Sequence, residues 1–81
     1  MKIKPIASNM TELELNDYTI LFSYQTPVAY HRSGVGFFRT GKKWSATTSR
    51  HINKWLAHHG AISATEVPQG ELDSLVSLEG K

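Results

Sequence analysis

The chain has 81 residues, 40% of them hydrophobic, and a formal net charge of +2. Such a length predicts one domain spanning residues 1–81, near the lower size at which a core is self-sufficient, because folding buries only about 60–65% of the unfolded surface. Cysteine is absent, which excludes disulfide staples and thiolate zinc sites and fits a reducing cytosol.

Residues 1–10 read as an arm. Met1-Lys2-Ile3-Lys4-Pro5 opens basic, as a signal peptide does, but Ser8, Asn9, Thr11 and Glu12 interrupt any apolar stretch. No run approaches the length of a membrane span, so the expectation is a soluble cytoplasmic protein without a membrane partner. Thr11-Glu12-Leu13-Glu14-Leu15 alternates like a short strand and ends at the turn-prone Asn16-Asp17. Tyr18, Ile20, Phe22 and Tyr24 then share one face at period two, with Thr19, Leu21, Ser23 and Gln25 on the other. Pro27 interrupts, and Val28 to Arg32 resumes as the second arm of a hairpin.

Ser33-Gly34-Val35-Gly36 is turn chemistry, Phe37 to Thr40 a further strand, and Gly41-Lys42-Lys43 a second turn leading into Trp44-Ser45-Ala46. The period then changes. Ile52, Trp55, Leu56 and His59 form one helical stripe, opposite Arg50, Asn53, Lys54 and Ala57. This predicts an amphipathic helix from about Thr48 to His59, capped by Thr47 or Thr48 and closed by Gly60. His58 and His59 suit its C-terminal dipole. Ile62 to Val67 reads as a short strand stopped by Pro68, and Leu72, Leu75, Val76 and Leu78 as a brief second helix.

The predicted fold is α+β: a mainly antiparallel sheet of four to five strands, covered on one face by the amphipathic helix, plus a short C-terminal helix. Its expected core is Ile20, Phe22, Val28, Trp44, Ile52, Trp55, Leu56, Ile62 and Leu72. The Leu72-Leu75-Val76 stripe is expected to dock internally; left undocked, it would suit a homodimer.

The segment Leu21 to Ala29 (Leu-Phe-Ser-Tyr-Gln-Thr-Pro-Val-Ala) and the segment Lys43 to Leu56, with its core Thr-Thr-Ser-Arg-His-Ile-Asn-Lys, resemble a group of small uncharacterised proteins encoded by phages and plasmids. The resemblance covers about the middle half of the chain. It implies a mobile-element protein acting inside a bacterial or similar host cell, and it implies no chemistry.

Charge gives the functional expectation. No acidic residue lies between Asp17 and Glu66, whereas Arg32, Arg39, Lys42, Lys43, Arg50, Lys54 and all four histidines do. Arg39, Lys42 and Lys43 flank one turn, while Arg50 and Lys54 lie one helical turn apart. Together with Thr48 and Ser49 at the helix start, they form a candidate surface for nucleic acid or another polyanion. The plainer alternative is an ordinary N-cap with Arg50 in solvent, since an exposed cation there costs only about 0.3–1 kcal/mol. Tyr30, Phe37, Phe38 or Trp44 would stack on bases if a sheet face stood open, although core packing is the commoner use of aromatics.

His51 and His58 are seven apart and His58-His59 diverge by about 100° on a helix, so no metal shell is completed. No nucleophile elbow, HExxH or carboxylate pair is present, and Gly34-Val35-Gly36 lacks the following helix of a phosphate loop. The expectation is a non-catalytic binding protein without cofactor. The alternative is a protein–protein interaction module, monomeric or homodimeric, that modulates a host factor through its basic middle and acidic ends.

Overall fold

The computed structural model describes residues 2–61 and 63–79. Strands β1 (Lys2–Ala7), β2 (Met10–Leu15), β3 (Tyr18–Ser23), β4 (Thr26–Arg32) and β5 (Gly36–Thr40) form a meander. Helix α1 (Ala46–His58) follows, then strand β6 (Thr65–Val67) and helix α2 (Gln69–Glu79). The six strands lie in chain order in one sheet. Neighbours from β1 to β5 pair antiparallel, whereas β6 runs parallel to β5. Parallel neighbours need a crossover, and α1 supplies it.

The fold is thus α+β, but the sheet is mixed and has six strands rather than four or five. The extra strand is β1, in residues that read as an arm. Lys2, Lys4 and Pro5 are exposed on it, and an edge strand tolerates lysine and proline that an inner strand would not. Beyond Pro5 the register shifts, so that Pro5 faces Thr11 and Ala7 faces Met10. A second shift sets Leu21 opposite Ala29 and Phe22 opposite Pro27, leaving Val28 as the extra residue. Each bulge turns two consecutive residues, Ile6-Ala7 and Val28-Ala29, toward the same apolar cluster.

Both faces of the sheet are covered, not one. Met10, Leu21, Val28 and Ala29 pack with Ile52, Trp55 and Leu56 of α1. On the opposite face Leu13, Leu15, Ile20 and Tyr30 pack with Leu72 of α2, supported by Phe22, Leu75 and Val76. The alternation on β3 hid this arrangement, because Ile20 and Leu21 point to opposite faces and both are fully buried. Burying each such side chain contributes roughly 1.5–3 kcal/mol. The expected core holds for Ile20, Val28, Ile52, Trp55, Leu56 and Leu72, and Phe22 is half-buried. Ile62 and the side chain of Leu78 lie outside the described residues. Trp44 is a correction: it sits in the loop before α1, 36% exposed.

Helix α1 starts two residues before its expected first residue. Ser45 is the N-cap, its hydroxyl accepting from the Thr48 amide at 3.3 Å, so neither Thr47 nor Thr48 caps it. The C-terminus matches expectation. Gly60 adopts φ +71°, the Gly60 amide donates to Ala57 O (3.0 Å) and the Ala61 amide to Leu56 O (2.8 Å). That pair of bonds satisfies the last carbonyls and needs the left-handed glycine.

Directional bonds also tie α1 to the sheet. Trp55 Nε1 donates to Glu12 Oε2 at 2.7 Å, and His59 Nε2 donates to the same oxygen at 2.8 Å. Glu12 is only 5% exposed. Its burial opposes ionisation, but the two hydrogen bonds and the electrostatic influence of His59 and Lys4 outweigh it. The carboxyl is therefore held below the usual carboxylate range. Further up the helix, Ser23 Oγ lies 2.7 Å from His51 Nδ1 and 3.1 Å from Thr48 Oγ1.

Candidate functional site

Where β5 ends, the chain turns through Gly41 to Ser45 and enters α1. The Gly41 amide donates to Val67 O (2.8 Å) and the Lys42 amide to Thr40 Oγ1 (3.1 Å), which fastens this loop to the end of the sheet. Between loop, helix start and strand ends lies a cleft of about 410 Å³ lined by Arg39, Lys42, Lys43, Trp44, Ser49 and Glu66, among others. The turn brings the two lysines beside the strand arginine, as their proximity in sequence predicted.

Arg39 is half-buried under α1. One terminal nitrogen donates to Asn53 Oδ1 at 3.3 Å, while Nε is buried with no acceptor. Glu66 faces it across the β5–β6 pairing. Even so, among the described residues no carboxylate comes within ion-pair distance of Arg39, Lys42 or Lys43; Glu12–His59 is the one such contact. Lys42 and Lys43 are exposed. The Lys42 ammonium stands 4.3 Å from the Trp44 ring centre, and Trp44 Nε1 donates to Gln69 Oε1 at 3.2 Å.

The other sequence-derived site residues divide. Ser49 reaches the cleft, exposed, and Thr48 lines it while buried. The Thr48 hydroxyl bonds to Ser23 and Ser45, so it pins the helix and is closed to an anion. Because Ser45 is the cap, the first turn is Ala46-Thr47-Thr48 and holds neither cation nor acid. Arg50 and Lys54 are exposed on α1 outside the cleft lining. Lys54 instead borders a separate depression of about 290 Å³ with Lys4 and His58.

Sequence reasoning placed Trp44 in the core, with stacking on bases only as the lesser use, and missed Gln69 as its anchor. The polar neighbours of Trp44, Lys42-Lys43 before it and Ser45 after it, were the available signal against a core position. The nearest approach to catalytic geometry is Ser23–His51. Ser23 is 2% exposed and its hydroxyl is shared with Thr48, so no substrate reaches it. Among the described residues no three metal-ligating side chains cluster, and no helix is long and apolar enough to cross a membrane.

No curated protein and no solved structure matches the chain. A family model does match, over residues 1–74, which take in the whole meander, α1, β6 and the first half of α2: the chain belongs to the family of unknown function DUF8033.

Proposed function

We propose that the protein is a non-catalytic binder of nucleic acid, or of another polyanion, through the cleft between the end of β5 and the start of α1. One observation carries this reading: half-buried Arg39 lines a cleft to which Lys42 and Lys43 add charge, and among the described residues no carboxylate lies within ion-pair distance of any of the three. A half-buried guanidinium without a counter-charge is costly, and an anion brought by a partner removes that cost. Ser49 offers a further donor, while Arg50 and Lys54 extend the positive charge along the outer side of α1. The resemblance of the Lys43 to Leu56 segment to phage- and plasmid-encoded proteins supports a mobile-element protein acting in a host cell's cytoplasm.

Fluorescence anisotropy with labelled DNA and RNA, at low and near-physiological salt, tests the reading. Binding should weaken by about 0.7–0.9 log units per log unit of salt for each phosphate neutralised. Lys42→Glu/Lys43→Glu should lower low-salt affinity at least tenfold and flatten the slope by about two phosphates' worth, with circular dichroism unchanged. Absence of binding at low salt overturns it.

A second reading, a protein-interaction module, has one observation in its favour. An apolar groove of about 300 Å³ on the α2 side includes Ile3, Leu13, Phe22 and Tyr24, and Ile3 is 65% exposed. The same titrations separate the two, because an apolar interface depends little on salt.

A further inference from the structure

The cationic cleft is lined by one aromatic residue, Trp44, which neither core cluster uses. Tyr30 and Phe38 stack on each other with ring centres 4.7 Å apart. Phe37 packs edge-on against Trp55 and close to His31. Trp44 alone among these lies on a loop, 36% exposed. It is nevertheless held still. Its indole N–H donates to Gln69 Oε1, and Gln69 Nε2 in turn donates to Pro27 O (2.8 Å) and Asp73 Oδ1 (3.1 Å). The indole is therefore anchored to β4 and to the first turn of α2, while Lys42 stands over its ring.

A fixed apolar plane beside cations matches one repeating chemistry, a flat base joined to a phosphate. Rigidity matters here, because a surface already in its bound geometry loses little entropy on binding. In a duplex the base faces are already stacked on one another, so the indole would have nothing to cover; in a single strand they are open. We propose that Trp44 is a base-stacking platform that makes single-stranded nucleic acid, rather than duplex, the partner of this cleft. The inference rests on the polyanion reading above and specifies its ligand.

Intrinsic fluorescence tests it directly, since Trp55 is fully buried and a stacked base cannot reach it. The protein would be titrated with short single-stranded DNA and RNA, the matching duplexes, and a single strand of abasic sites that keeps the phosphates. The expected result is quenching by the base-bearing single strands and little by duplex or abasic strand. Trp44→Leu should abolish the quenching and reduce single-strand affinity roughly tenfold or more, a larger loss than for duplex. Salt-dependent binding with no quenching, or equal losses for both strand forms, overturns the platform and leaves the polyanion reading standing. If no nucleic acid binds at low salt, both fall. Should Trp44→Leu misfold, the base-bearing and abasic strands on the unaltered protein decide the question alone.

Discussion

Beneath α1 the sheet buries Glu12 and Ser23 beside its apolar residues, whereas beneath α2 the buried set is Leu13, Leu15, Ile20, Tyr30 and Leu72. The α1 face is thus fastened by directional contacts: Trp55 and His59 on Glu12, and Thr48 and His51 on Ser23. The α2 face relies more on non-directional packing, and its two directional contacts sit together at the start of the helix: the Tyr30 hydroxyl donating to Glu71 Oε2 at 2.6 Å and Gln69 Nε2 donating to Pro27 O at 2.8 Å. Apolar burial supplies adhesion but tolerates sliding, while hydrogen bonds at both ends of a helix fix its rotation and height. The helix whose start shapes the candidate cleft is the one so fixed, and a binding surface needs that rigidity.

The largest effect should come from removing the residue that serves both kinds of contact. Trp55→Ala empties a fully buried site and strips Glu12 of a donor, at a cost of roughly 3–5 kcal/mol. In a domain this small that amounts to loss of the folded state. An unchanged thermal midpoint would mean that α1 does not dock through this face.

Glu12→Gln keeps the shape but removes the charge, and should cost about 1–3 kcal/mol at neutral pH. The sign of the pH effect follows from a folded carboxyl held below its ordinary 4.5. Its stabilisation is complete above that unfolded value and disappears as pH falls through the folded one. Urea denaturation of both proteins across the acid range should therefore show the gap closing as pH falls; a constant gap would show that charge is not what Glu12 contributes.

The smallest effect belongs to a polar link of the other face. Burial first, then the hydrogen bond and charge of Glu71, push the Tyr30 hydroxyl well above its usual range. Glu71 is exposed and is rehydrated when the bond is lost, so Tyr30→Phe should cost only about 1 kcal/mol. A loss as large as that of Glu12→Gln would erase the distinction between the faces.

The legible parts of the fold were those with a strong local period. Ile52, Trp55 and Leu56 at helical spacing named the buried stripe of α1, and Gly60 marked its end. The Leu72, Leu75 and Val76 stripe likewise pointed to a docked second helix. The edge strand β1 was illegible because Lys2, Lys4 and Pro5 are what an unstructured arm also contains. Two-sided burial was hidden because Ser23 and Glu12 look solvent-facing until α1 supplies their partners across 25 and 47 positions of sequence. For the candidate site, the sequence neighbours Arg39, Lys42 and Lys43 line one cleft, a proximity that their spacing made visible. The cap at Ser45 moves Arg50 out of the first turn, and neither Arg50 nor Lys54 lines the cleft.

The two ends of the sheet bear on how the protein behaves when concentrated. A six-stranded sheet that does not close into a barrel leaves backbone donors and acceptors at β1 and β6, each a template on which another chain could add a strand. At one end, Lys2, Lys4 and Pro5 make that addition unfavourable through charge repulsion and a missing donor; at the other, β6 is only 3 residues long. The residues that disguised β1 as an arm therefore keep a sheet with two open margins from growing copy upon copy into fibres.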